Sequence, residues 1–141
     1  MSTESPTRTV GGPRAVKFAR HVFLWSANYG ILALLPQYFL ERKVGLDMPP
    51  AITHPEFYYA FIGVALAFQI VFAIIGSDPV RYRPMMLAGV VEKFSFGIAA
   101  PLLYSAGRVQ PLVLVFSTID LLFGLAFLAA WWRLRGQRTS L

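Results

Sequence analysis

Glu92 and Lys93 are neighbours in the middle of a long run of otherwise apolar or small residues, positions 85–105. An adjacent carboxylate and ammonium can form an ion pair, relay a proton or hold the polar end of a ligand. If the run crosses a bilayer, both groups lie deep in hydrocarbon. One charge there costs at least ~2.5–3.5 kcal/mol, so each needs a partner, a cavity or a task. Asp120 is the only acidic residue of a second apolar run, 112–132, while Asn28 and Gln69 stand inside two more, 22–40 and 57–76. At a rise of ~1.5 Å per residue, Asn28, Gln69 and Glu92 each fall about 10 Å from one common boundary, and Asp120 at roughly 15–18 Å. All four runs thus feed one polar layer about two helical turns thick. The expected pairing is Lys93 with Asp120, leaving Glu92 to Gln69, Asn28 or water. Such a layer is either a buried ion pair that fixes helix register or a polar cavity that binds a proton, an ion or a headgroup.

The elements that must carry these groups follow from composition. The chain has 141 residues, 56% hydrophobic and only 14% charged, with mean hydropathy +0.55. A soluble domain carries about a quarter charged residues. The reading is an all-α polytopic membrane protein, a four-transmembrane-helix bundle. Each of the four runs is close to the ~20 residues that cross ~30 Å of hydrocarbon as a helix. The bundle is expected over residues 21–135, after a disordered basic arm at 1–20 and before a basic tail at 136–141. The long polar arm and the long run after it fit a signal anchor better than a cleaved leader. Segments 44–55, 77–84 and 106–111 are rich in turn residues. Pro84 and Pro111 suit first helical turns, whereas Pro36 and Pro101 predict kinks or early ends.

Small residues give the expected packing faces. Gly89, Lys93 and Gly97 recur at four-residue spacing, and Ser117, Asp120 and Gly124 form a similar stripe, so the third and fourth spans are predicted to pack tightly. Ala60, Gly63 and Ala67 offer a stripe on the second.

Orientation comes from the basic residues. Arg8, Arg14, Lys17, Arg20, Arg81, Arg83, Arg133, Arg135 and Arg138 fall on one side of a four-span chain, against Arg42, Lys43 and Arg108 on the other. Both termini are therefore expected in the cytoplasm. Trp131 and Trp132 suit the inner interface, and Tyr58, Tyr59 and Tyr104 the outer one. Asp78 before Pro79 fits a capped turn. Arg81, Tyr82 and Arg83 beyond it read as contacts to anionic headgroups or as a topogenic loop.

Several functions are disfavoured. The formal net charge is +6, but the basic residues flank apolar runs, where lipid headgroups and not nucleic acid would meet them. Without cysteine there is no disulfide, thiolate ligand or cysteine nucleophile. His21 and His54 fall at opposite faces, some 30 Å apart, too far to share a metal. Glu41, Asp47, His54 and Glu56 could gather a cation, yet Pro49, Pro50 and Pro55 among them read as a stiff surface turn. No phosphate loop, dinucleotide fingerprint, zinc motif or nucleophile elbow occurs. No metal and no cofactor is expected.

The string Asp78-Pro79 … Arg81-Tyr82-Arg83-Pro84, then Glu92-Lys93 and later Asp120, resembles small four-span bacterial inner-membrane proteins. In general shape the chain is similar to the DoxX-like group over residues 20–135, with span count and length carrying the likeness. That resemblance implies a four-helix membrane protein, with a link to quinol-oxidising systems in some members. The small multidrug-resistance transporters also have four short spans, but they rely on a carboxylate in the first, where this chain has Asn28.

Three functions fit these residues: an accessory or binding subunit with a structural polar layer, a proton- or ion-coupled transporter, or a redox or lipid- or quinone-linked enzyme. The first is preferred. Expected partners are the lipid bilayer and a homo-oligomer or larger membrane complex, in a bacterial inner membrane. A lateral apolar groove ending at Lys93 would favour the third function, and a water-filled cavity at Glu92 the second.

Overall fold

The computed structural model describes residues 12–136, and every regular element among them is helical. Helix α1 spans Pro13–Leu34, a 3-10 segment follows at Leu35–Phe39, and α2 spans Glu41–Asp47. Helix α3 is Pro55–Ser77, α4 is Met86–Ser105 after a 3-10 turn at Arg83–Met85, and α5 is Pro111–Arg133. Pro13, Pro55 and Pro111 stand in first turns, where a missing N–H costs nothing.

Three helical stretches are long and apolar enough to cross a membrane: Pro55–Ser77, Arg83–Ser105 and Pro111–Arg133. Their outer faces stay apolar, and only 17% of the most apolar window of Pro111–Arg133 is buried against the rest of the chain. Helix α1 is as long, but Arg14, Lys17 and Arg20 occupy its first half.

The arm expected to be disordered over 1–20 is helical from Pro13 onward. Ala15, Ala19 and Phe23, four residues apart, are buried on one face, while Arg14 and Lys17 lie on another, so an amphipathic helix forms here. The rest of that arm and the tail beyond Gly136, with Arg8 and Arg138, lie outside the described residues. The first run ends its α-helix at Leu34 and not at position 40, because Pro36 cannot continue the hydrogen-bond ladder. Pro101, by contrast, is passed without ending α4. The segment expected as turn from position 44 contains the end of α2, which Lys43 and Asp47 brace with a 2.6 Å ion pair.

Two pairs of helices build the bundle. Helix α4 packs along α5 and α1 along α3, α1 also meets α5, and α3 and α4 barely touch. Close approach in the α4–α5 pair depends on glycine: a Cβ on Gly97 would come within 2.7 Å of Leu121, and one on Gly124 within 3.2 Å of Lys93 Cβ. On α3 the buried face is Ile62, Ala65, Gln69, Phe72, Ile75 and Gly76. The expected stripe of Ala60, Gly63 and Ala67 is not that face, since Ala60 and Ala67 are exposed. Phe23, Phe72 and Phe127 lock three helices together, with Phe23 and Phe127 stacked at 3.9 Å and Phe72 edge-on to Phe127 at 4.9 Å.

Three basic residues are engaged at one end of the bundle. Arg20 Nη2 donates to the Ser77 carbonyl at 3.1 Å, Arg83 Nε to the Trp131 carbonyl at 2.9 Å, and the Arg133 guanidinium lies 4.7 Å from the Phe18 ring.

Candidate functional site

Lys93 projects from the buried stripe of α4, its side chain only 4% exposed. Its Nζ donates to Asp120 Oδ1 of α5 at 3.0 Å, the expected pairing. Glu92 is the second carboxylate on this ammonium, with Oε2 at 3.3 Å from Nζ. That approach has ion-pair distance without hydrogen-bond geometry, so Oε2 stays buried with no donor. The three side chains form one triad, two carboxylates on a single ammonium, with Glu92 18% and Asp120 14% exposed.

The amides of the layer behave differently from expectation. Gln69 reaches the same region, is 1% exposed and lies against Gly30 of α1, where an added Cβ would collide with its side chain. Its Nε2 donates to the Ala65 carbonyl at 2.8 Å, and Oε1 has no donor. It does not take Glu92 as a partner. Asn28 is exposed and turned away, with Nδ2 bonded to the Leu24 carbonyl of its own helix at 2.8 Å. A depth estimate from helical rise fixes height but not azimuth, and Asn28 lies on a lipid-type face beside Trp25 and Leu32.

Because α3 and α4 stand apart, a groove of about 980 Å³ runs between them to the triad. Its walls are mainly apolar, with Phe61, Val64 and Phe68 of α3 facing Ala88, Val91 and Phe96 of α4. Glu92, Lys93, Asp120 and Gln69 all line it. Val44 and Met48 close its far end, so the short helix α2 serves as part of the lining. A smaller hollow of about 340 Å³ at Pro49, Pro50 and Arg108 is remote from the charged groups.

Two features of the site were not read from sequence. Lys93 Nζ lies 5.5 Å from the centroid of the Phe72 ring, so this member of the aromatic trio borders the ammonium. Tyr29 also lines the groove and packs against Phe123 at 5.8 Å. Nothing in the spacing of the phenylalanines singles out a neighbour for Lys93.

The basic loop carries the expected cap, and two of Arg81, Tyr82 and Arg83 also make contacts within the chain. Asp78 Oδ1 accepts from the Arg81 N–H at 3.1 Å. Arg83, expected to face phosphates, spends its guanidinium on Trp131, bonding its carbonyl and lying 4.6 Å from its ring. Tyr82 packs against the core, and only Arg81 of the three is exposed. No cluster of three or more His, Asp or Glu suited to a metal occurs among the described residues. His21 bonds the Lys17 carbonyl and His54 pairs with Glu56, each locally.

Comparison with protein-family models, curated proteins and solved structures finds no match for this chain.

Proposed function

We propose that this chain is a four-span membrane protein that binds a membrane-borne apolar molecule in the groove between α3 and α4. The triad would hold the polar end of that molecule. One observation carries this reading: the groove runs between two helices that barely touch and reaches Glu92, Lys93 and Asp120. A layer that served register alone would be filled by side chains and fully paired. This one borders about 980 Å³ of space and leaves acceptors without donors. A volume of that order takes a drug- or lipid-sized molecule.

The groove therefore favours a lipid- or quinone-class binder over the accessory subunit preferred from sequence. In this reading α1 is the fourth span, with residues 22–34 in hydrocarbon and its basic turns at the cytoplasmic face. Both termini are assigned to that side because Arg20, Arg83 and Arg133 gather at one end of the bundle. The inner membrane of a bacterium is the proposed location, in keeping with the DoxX-like resemblance.

Thermal unfolding in phosphatidylcholine nanodiscs tests the binding reading. A ligand that binds only the folded state raises its stability with concentration. Twelve-carbon alkyl compounds should raise the Tm of the wild type in a saturable way. Ala88→Trp fills the groove from an exposed position and should abolish the rise. Equal, non-saturating shifts in both proteins would show bulk partitioning and count against the groove.

A further inference from the structure

Counting charge and donors around the groove narrows its occupant. Among the described residues, Glu92, Lys93 and Asp120 are the only charged ones lining it, so the ionised triad has one negative charge in excess. An uncompensated charge in a low-dielectric setting takes up a counter-charge or a proton. No second basic side chain of the described residues lines the groove. Arg20, Arg83 and Arg133 are engaged at the bundle's basic end with Ser77, Trp131 and Phe18.

Hydrogen bonding points the same way. Gln69 Oε1 is a buried acceptor without a donor, Glu92 Oε2 has only the poorly aligned Lys93 ammonium at 3.3 Å, and both residues line the groove. The Gln69 side chain is almost wholly buried, with its amide nitrogen already committed to Ala65. What the site lacks is positive charge and N–H groups together. The walls around it are rich in phenylalanine faces, which also favour a cation.

We propose that the groove selects a lipophilic monoamine, its protonated ammonium seated between Glu92 and Gln69 and its hydrocarbon tail lying along α3 and α4. This rests on the groove being a binding site. A fatty acid would add a second excess negative charge, and a neutral alcohol would leave the first uncompensated. A phospholipid amine does not fit either. Glu92 lies six residues, or about 9 Å, inside the amino-terminal end of α4, whereas a phospholipid headgroup is held at the interface and its own phosphate cancels its charge.

The test is competition for a diazirine-bearing dodecyl photoprobe in phosphatidylcholine nanodiscs, using dodecylamine, dodecanol and dodecanoate. Wild type and Glu92→Gln are compared in the same nanodiscs, so that differences in membrane partitioning cancel. Dodecylamine should displace the probe from wild type at ten-fold or more lower concentration than dodecanol, with dodecanoate weakest. Glu92→Gln should remove the amine's advantage over dodecanol. If dodecanol and dodecylamine compete equally in wild type, a proton held by the triad balances the charge and the amine inference falls while the groove stands. An amine preference that survives Glu92→Gln overturns the inference as well. If no compound competes, or capture is confined to contacts between two copies of the chain, the binding site and the amine fall together.

Discussion

Lys93 is the side chain whose loss the layer can least absorb, because it alone faces two carboxylates. Lys93→Met leaves Glu92 and Asp120 as like charges in a buried place, and stripping one partner from a buried pair costs ~3–5 kcal/mol. Adding Asp120→Asn to Lys93→Met should recover part of that loss. Unfolding in detergent by each single variant and the double checks it, and strictly additive losses would mean that the two residues are not coupled. The pairing was legible because only Lys93 and Asp120 combine opposite charge with stripes of small residues on neighbouring runs. The fate of Asn28 was not. Its side chain can satisfy itself on the Leu24 carbonyl of its own helix, so a polar residue at the right depth need not join the layer.

Helix pairs carry the next level of the account, and glycine decides how closely they approach. Gly97→Val should lower stability by ~1–3 kcal/mol, because a side chain there runs into Leu121 and forces α4 and α5 to adjust. Ala99→Val, on an exposed face of the same helix, should stay within about 0.5 kcal/mol of wild type. A comparable effect of both substitutions on Tm would place the α4–α5 contact elsewhere. The stripes on α4 and α5 were readable from spacing, since charge and small residues coincide there. On α3 the small stripe misled, because phenylalanine and isoleucine on another face offered more area to bury. Helix α2 was missed because seven residues are too few for a periodic pattern to stand out.

Over the whole molecule, three helical stretches among the described residues are long and apolar enough to cross a membrane, and the placement of α1 decides the proposed fourth span. The chain has no cysteine, so single cysteines can be placed without background. Arg14→Cys should react with a membrane-impermeant maleimide only from the cytoplasmic side, and Phe39→Cys only from the opposite side. Labelling of both from one side would leave α1 lying along the surface and would break the four-span reading. All-helical architecture was legible because long apolar runs leave the backbone few ways to satisfy itself. The gap between α3 and α4 was not, because apolar faces that meet lipid, a neighbour or a ligand look alike in sequence. That gap is the centre of the functional proposal, and mapping where a membrane-dissolved hydrocarbon probe inserts tests it most directly. With an uncharged diazirine hydrocarbon in nanodiscs and peptide mass spectrometry, cross-links should concentrate on Phe61, Val64, Val91 and Phe96 and disappear in Ala88→Trp. Capture spread over outward residues such as Leu32 and Leu102, unchanged by Ala88→Trp, would contradict the existence of a binding groove.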